Sequence, residues 1–269
     1  MLKKYEFTNE TKKIKDVLGN IFILHRIRAL KDFDDVKKGD LGGWLENESN
    51  LSHEGNCWVC DNAMVYGNAM VYDNAMVYDS AEVLGDAQVS GGAQVFGDAR
   101  VFVSAQVYGH AKIYDKAWVF GDAQVYDNAQ IYDEGEVCGK AARVYNNARV
   151  YGKGRVDCSA QVYDNAQVYG GARVAGYAGV AQIYDCARVS GKARVYGHAQ
   201  VADAQVYDDA QVYGFAEVRG NAQVYGNAQV YGNAQVDDDA QVHGSAQVHG
   251  NARVCDNSVV CDDTEVLGD

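Results

Sequence analysis

An aliphatic residue returns at every sixth position from Val59 onward, and a small residue, most often alanine, stands two positions before it. The unit Val-Tyr-Gly-Asn-Ala-Gln appears in its purest form between Val224 and Gln235. Because successive side chains of a strand point to opposite faces, Ala-Gln-Val reads as a short strand with its glutamine facing outward. Glycine, aspartate and asparagine then supply a corner, since they tolerate positive φ. The pattern predicts an all-β solenoid in which each unit contributes one strand and one turn.

Three such units close a triangular coil of about eighteen residues, and successive coils stack as parallel strands about 4.8 Å apart. The register slips three times, after Val137, Val174 and Val201, and we expect each slip to lie at a corner. The nine-residue spacing between Val174 and Ile183 predicts a bulge over residues 175–180. With these slips, residues 57–269 predict a parallel β-helix of about twelve coils.

Residues 1–56 do not repeat. Residues 13–17 and 21–25 flank Leu18-Gly19-Asn20, which predicts a β-hairpin with its turn there. The end of a solenoid exposes unpaired strand edge and apolar core, so a covering element is needed. We therefore predict two domains: a small N-terminal β-hairpin cap, residues 1–56, and the β-helix, residues 57–269.

The pattern aliphatic-x-x-x-small-x resembles that of hexapeptide-repeat proteins, which form left-handed parallel β-helices. The left hand is implied by this resemblance alone. The N-terminal segments 26–33, 42–44 and 55–58 look like those of an uncharacterised bacterial family of this class, labelled acyltransferases and in some cases carried by prophages. The resemblance implies an O- or N-acyltransferase that uses acetyl-CoA, and a trimer formed along the helix axis.

Charge and composition exclude several classes of partner. The net charge of −13 disfavours generic binding to nucleic acid or to anionic membrane. No apolar run approaches the roughly 20 residues of a membrane span, and the polar N-terminus suggests no signal peptide, so we expect a cytoplasmic protein. The seven cysteines are scattered and form no disulfide framework. Cys57 and Cys60 lie three apart in a strand and point to opposite faces, so no metal site is predicted there.

Catalytic residues are few in this pattern. The chain lacks the long loops with which hexapeptide acyltransferases enclose acyl-CoA. His110 and His198 occupy the asparagine turn position, where histidine tolerates the same backbone conformation, and they are the general-base candidates if the protein is an enzyme. His243 and His249 fall in successive units and therefore on different edges, which argues against a shared zinc ion.

One column of the position after valine is predominantly aromatic and passes through Tyr114, Tyr132 and Tyr151. Such a ladder can be internal edge stacking or an interface. We expect a homo-oligomer, a trimer rather than a dimer, with these three tyrosines in the contact.

Charge is also zoned along the chain. Residues 138–200 carry nine basic and three acidic side chains, whereas residues 51–137 carry three basic and thirteen acidic ones. Arg155, Arg173 and Arg194 fall in one outward column, which is either a solvated surface or a site for an anion or acidic partner.

The sequence thus favours a non-catalytic binding or scaffold protein that presents a rigid, charge-zoned surface to a protein partner, with an inhibitor carried by a phage or mobile element as one form of it. The alternative is an acyltransferase of the hexapeptide-repeat class with acetyl-CoA as its cofactor.

Overall fold

The computed structural model describes residues 3–15, 19–177 and 179–269. The chain divides into two compact units, Met1–Asn128 and Ala129–Asp269. Regular structure in the described ranges is strand, apart from one short 3₁₀ helix at Glu48–Asn50. No helix there has the length and apolar character that crossing a bilayer requires.

The first unit contains fifteen strands, numbered in chain order among its described residues. They are β1 Tyr5–Lys15, β2 Ile21–Ala29, β3 Leu41–Leu45, β4 Trp58–Val59, β5 Met64–Val65, β6 Met70–Val71, β7 Met76–Val77, β8 Glu82–Val83, β9 Gln88–Val89, β10 Gln94–Val95, β11 Arg100–Val103, β12 Gln106–Val107, β13 Lys112–Ile113, β14 Trp118–Gly121 and β15 Gln124–Val125. Strands three apart along the chain pair in parallel, as in β8 with β11 and β9 with β12. We call the sheet β1-β2-β3-β5-β8-β11-β14 the hairpin sheet.

The second unit continues the same repeat. Its strands are β16 Gln130–Ile131, β17 Glu136–Gly139, β18 Arg143–Val144, β19 Arg149–Val150, β20 Arg155–Asp157, β21 Gln161–Val162, β22 Gln167–Val168, β23 Arg173–Ala175, β24 Gln182–Tyr184, β25 Arg188–Val189, β26 Arg194–Tyr196, β27 Gln200–Ala202, β28 Gln205–Val206, β29 Gln211–Val212, β30 Glu217–Val218, β31 Gln223–Val224, β32 Gln229–Val230, β33 Gln235–Val236, β34 Gln241–Val242, β35 Gln247–Gly250, β36 Arg253–Val254, β37 Val259–Val260 and β38 Glu265–Gly268. We call the sheet β17-β20-β23-β26-β29-β32-β35-β38 the arginine sheet.

The core of each unit consists of the repeat's alanine and valine positions. Ala117 and Val119 in the first unit, and Ala210 and Val212 in the second, have no exposed surface. Glutamines between them remain partly exposed, as the strand alternation predicts. Each unit is therefore a parallel β-solenoid, which confirms the predicted fold class. The hand of the coils stays a prediction.

Aspartates at the corners serve the backbone. Among the described residues, sixteen of the seventeen non-glycine residues with positive φ are aspartate, asparagine or cysteine at a turn, and the exception there is Val103. The side chain of such an aspartate reaches the next coil: Asp79 Oδ2 accepts a hydrogen bond from the Gly97 N–H at 3.1 Å. Much of the chain's acidity therefore belongs to turn geometry, which agrees with the structural role expected for these carboxylates.

The N-terminal segment begins with the predicted antiparallel pair. β1 pairs with β2, and both strands are longer than the sequence suggested. The predicted turn at residues 18–20 lies partly outside the described residues. Lys4 and Tyr5 anchor the segment: Lys4 Nζ donates to the Cys57 carbonyl at 2.8 Å, and the Tyr5 hydroxyl donates to the Leu51 carbonyl at 3.0 Å.

Parallel pairing starts within this segment. β3 pairs with β5 through Trp44↔Met64 and Leu45↔Val65, and Leu51 bridges to Val71. The coil geometry therefore begins before residue 57, because Leu45 already fills a buried valine position. The domain boundary at residue 56 stays a prediction.

The register slips lie at corners, and strand pairing recovers after each of them. Gln161 pairs with Gln182 across the long unit, and Gln205 pairs with Gln223 after the short one. The predicted bulge at residues 175–180 contains Ala178, which lies outside the described residues. Slips at corners leave the inward alternation intact, since a one-residue shift within a strand would turn valine outward.

Candidate functional site

Most of the outer surface of the second unit repeats one arrangement of tyrosine beside glutamine. The rings of Tyr213 and Tyr231 stack with centroids 4.9 Å apart and an angle of 1° between their planes. The Tyr213 hydroxyl donates to Gln229 Oε1 at 3.2 Å, on the neighbouring strand. Both side chains thus support the fold, so any departure from this arrangement is a candidate for function.

The predicted aromatic ladder is present within each unit. Tyr114 stacks on Phe96 in the first unit, with centroids 4.9 Å apart, and Tyr132 stacks on Tyr151 at the same separation in the second. The other two sheets of the second unit carry ladders too: Tyr145–Tyr163–Tyr184 and Tyr196–Tyr213–Tyr231–His249. A stack is therefore not special to one edge, and its use as an oligomer interface stays a prediction.

The arginine sheet departs from this arrangement over four strands. In its outward position, glutamine is replaced by Glu136, Arg155, Arg173 and Arg194, in register across β17, β20, β23 and β26. In the position after valine, tyrosine is replaced by the small residues Cys138, Asp157 and Ala175. The predicted arginine column is thus a real column, and beside it the bulky aromatic layer is missing.

Asp157 holds the first two arginines. Its carboxylate is buried, with 4% of the side chain exposed, and Oδ2 accepts from Arg155 Nε at 3.1 Å and from Arg173 Nε at 2.9 Å. Arg155 also donates to Glu136 Oε2 at 2.7 Å. The repulsion expected among stacked guanidinium groups is therefore relieved for two of the three.

Arg194 is the third arginine of the column, and Asp157 does not bind it. Among the described residues, no carboxylate lies within ion-pair distance of it. It lines a groove of about 440 Å³ with Arg173, Lys192, Tyr177 and the Tyr196 ring. Arg194 and Lys192 have no carboxylate partner among the described residues, and Arg173 shares Asp157 with Arg155. The groove therefore has a positive potential.

The long unit after Val174 supplies one wall of the groove. Tyr177 is 61% exposed, its hydroxyl contacts Arg173, and its ring lies 5.2 Å from that guanidinium group. A cation held against an aromatic face keeps its orientation. The insertion therefore fixes the direction in which Arg173 presents its remaining donors.

The Cys138 side chain, in the position after valine on β17, is unreactive. Cys138 is 3% exposed, and burial raises the pKa of its thiol to about 11, with Asp157 adding to the effect of burial and Arg155 opposing it. The thiol is protonated at neutral pH, and a protonated thiol is a poor nucleophile. The Cys138 thiol therefore does not supply a nucleophile at this position.

The candidate general bases lie elsewhere. His110 and His198 are both exposed at turns, as predicted. The His198 ring stacks on Phe215 with centroids 4.7 Å apart and closely covers Gly179. His110 similarly covers Gly92. Their catalytic role stays a prediction, because the described contacts of both rings are packing contacts.

Two further histidines lie where their units of the repeat place them. His243 stacks on Tyr225 and His249 on Tyr231, which confirms that they lie on different sheets. Cys57 accepts from Lys4 Nζ at 3.1 Å. Across the described ranges, no three His, Cys, Asp or Glu side chains are grouped to hold a metal ion.

Sequence reasoning found the arginines and missed Asp157, Lys192 and Tyr177. A signal for Asp157 was present: the triplet Arg155-Val156-Asp157 places a small acid in the tyrosine position beside an outward arginine. Tyr177 carried a signal too, since a large aromatic in an inserted corner has no place in the repeat. Lys192 occupies an ordinary turn position, where lysine is common on a solvated surface.

Two comparisons with known proteins bear on this chain. A family model described as the YdcK beta solenoid repeat matches residues 93–109, 142–156, 181–197 and 228–244. The uncharacterized acetyltransferase YdcK of Escherichia coli (strain K12) is 36% identical over 63 residues, which are 22% of this chain and 19% of that protein. The chain thus matches about a fifth of the curated relative's length. The matched stretches are similar to β-solenoid repeats of the YdcK kind, which is consistent with the chain's resemblance to hexapeptide-repeat proteins.

Proposed function

We propose that the protein is a binding protein that holds an acidic protein partner on its arginine sheet. The observation that carries this proposal is Arg194, which has no carboxylate partner among the described residues and shares a groove with Lys192 and Arg173. An acidic side chain of a partner would supply the pairing that Asp157 and Glu136 supply to the neighbouring arginines.

The surface beyond Arg194 extends the groove along the sheet. A further depression of about 350 Å³ is lined by Lys192, Arg194 and Asp209 and continues to Gln211, Asn227 and Gln229. The Gln211 and Gln229 amide oxygens accept from tyrosine hydroxyls at 3.3 and 3.2 Å. The amide nitrogens of these side chains are donors that a partner's acceptors can use. The lining therefore offers two cations and several amide donors beside one carboxylate, a balance that favours an acidic segment.

A peptide binding measurement tests this proposal. A fluorescent peptide of alternating Glu and Ser should bind, and a peptide with Gln in place of Glu should not. The double variant Arg173→Glu, Arg194→Glu should weaken binding at least about tenfold, and added salt should weaken wild-type binding, since the contacts are exposed ion pairs.

The double variant Arg149→Glu, Arg188→Glu is the matched control. It makes the same charge change at the same outward position of another sheet of the second unit. Equal losses for the control and the groove variants would refute a local site and leave only the net charge. An inhibitor of an acidic host protein is the form of this proposal that the resemblance to prophage-borne chains favours.

A second candidate function is acetyl transfer, which is suggested by the name of the Escherichia coli relative, an uncharacterized acetyltransferase. The phosphates of acetyl-CoA are anions that the same arginine and lysine side chains would hold. Calorimetry with acetyl-CoA distinguishes the candidates: micromolar binding abolished by Arg194→Glu favours transfer. His110→Asn and His198→Asn, which restore the repeat's own turn residue, would then test for a general base.

A further inference from the structure

The hairpin sheet of the first unit also departs from the repeat, and in the apolar direction. Its outward position holds Met64 and Trp118 on either side of Glu82 and Arg100, and the position after valine holds Leu84 and Phe102. On another sheet of the same unit, the outward position holds Met70 and then Gln88, Gln106 and Gln124. Trp118 is 40% exposed, so a large apolar side chain stays partly in water at a position where the repeat usually has glutamine.

These side chains form the floor of a groove of about 610 Å³. The end of β1, at Ile14 and Lys15, lines the groove as well, together with the buried Tyr66 and the Glu82–Arg100 pair. A volume of this size lies within the range of small-molecule sites, which are mostly apolar with a few placed polar groups. The groove is thus built like a ligand site rather than like the regular outer surface.

Charge in the groove selects the polar end of a ligand. Arg100 donates to Glu82 Oε2 from Nε at 3.1 Å, and its guanidinium lies 6.0 Å from the Trp118 ring. Lys15 adds a second cation at the rim, so among the lining residues the cations outnumber the single carboxylate. An anionic head group is favoured there, and an ammonium head group is disfavoured.

We infer that this groove binds an amphipathic carboxylate with a linear alkyl chain, whose chain lies on Leu84, Phe102 and Trp118 and whose carboxylate meets Lys15. The inference is independent of the arginine sheet, since it uses only residues of the first unit. The gain on binding is the removal of apolar surface from water at both the ligand and the groove.

Three probes of equal chain length test the head group. Calorimetry with decanoate and decyltrimethylammonium below their micelle concentrations, and with decanol below its solubility limit, should rank decanoate first by about tenfold, in keeping with a charge-assisted contact. Lys15→Gln should reduce decanoate affinity to that of decanol and leave decanol unchanged. Equal affinity of the wild type for all three probes would overturn the inference.

Trp118→Gln tests the location of the chain. Glutamine is the repeat's own residue at this position, so the fold should tolerate the change, and circular dichroism checks that it does. Decanoate binding should fall at least about tenfold. Met70→Gln is the matched control, because Met70 is 45% exposed at the same outward position of another sheet of the first unit. An equal loss in both variants would show non-specific adsorption and refute the site.

Discussion

Replacing Asp157 by alanine should destabilise the protein and strengthen its binding to acidic ligands. The buried carboxylate holds two arginines on neighbouring strands, whose side chains are 40% and 42% exposed. Because solvent screens these arginines, each lost contact is worth about 0.5–1 kcal/mol rather than the 1.5–3 kcal/mol of a fully buried charged bond. Two guanidinium groups about 5 Å apart then repel by roughly 1 kcal/mol even in water.

One effect opposes the loss. Asp157 Oδ1 is buried without a hydrogen-bond partner among the described residues, and its removal recovers about 1 kcal/mol of desolvation cost. The expected net destabilisation is therefore about 1–2 kcal/mol. At the same time Arg173 loses the carboxylate that pairs with it, and Arg155 keeps only Glu136, so the acidic peptide should bind several-fold more tightly, a change of about 1 kcal/mol.

Hydrogen exchange measured by mass spectrometry is the suitable assay, because long repeat arrays can unfold in parts. Peptides that contain β20 and β23 should exchange faster in the variant, whereas peptides from β31 to β34 should not. Asp263→Ala, an exposed aspartate outside the groove, controls for the change in net charge. A variant with unchanged exchange and weaker peptide binding would refute the reasoning. It would show that Asp157 neither stabilises β20 and β23 nor competes with an acidic ligand for the arginines.

Four other outcomes follow from the structure. Val119→Asp should cost several kcal/mol in urea denaturation, since it places an unpaired charge at a fully buried position. Val103→Asn should stabilise the first unit by about 0.5–1 kcal/mol, because a β-branched residue at φ 62° is strained and asparagine tolerates that conformation; an unchanged midpoint would contradict this. Burial, followed by the neighbouring phenols, raises the pKa of Tyr163 to about 12. The contribution of the protonated phenol to the free energy of unfolding is therefore complete below the unfolded pKa of about 10 and is lost between pH 10 and 12. Ultraviolet titration should show phenols that ionise above pH 10, and titration at the ordinary pKa would contradict this. If the ladder is an oligomer interface, as we propose, light scattering should show a trimer that the double variant Tyr132→Asp, Tyr151→Asp dissociates, and a monomeric wild type would leave the ladder as internal stacking.

The fold was predictable because each position of the repeat has one physical task. Alanine and valine at inward positions, and Gly or Asp at corners, leave a single way to bury the apolar face, and Val119 and Asp79 lie where that reasoning puts them. Pairing partners were predictable too, since three units close one coil, so Arg155 had to meet Arg173. The N-terminal hairpin was less predictable, because the lengths of β1 and β2 depend on contacts that no local pattern encodes.

Site residues were harder to predict for a different reason. A column of arginines is visible in the sequence, but its charge depends on whether a carboxylate reaches it, and Asp157 does so only because Cys138 and Ala175 keep the neighbouring space free of rings. Two distances decide which arginines Asp157 neutralises, and neither of them follows from spacing. The sequence could therefore locate the column but not say which arginine is left for a partner.

In a solenoid of nearly identical units, regularity itself limits where function can lie. Stacked tyrosines and paired glutamines satisfy one another, so a regular face offers little unpaired chemistry. A partner can be recognised specifically only where a unit lacks the tyrosine stacking and the tyrosine–glutamine hydrogen bonds. Each such unit loses stacking energy of about 0.5–1.5 kcal/mol per ring pair. The replacement of rings by Asp157 and Ala175 beside Arg173 carries that cost without improving the core. Selection for binding would explain such a departure if the arginine sheet holds a partner, as we propose, whereas selection for stability alone would have kept tyrosine and glutamine there.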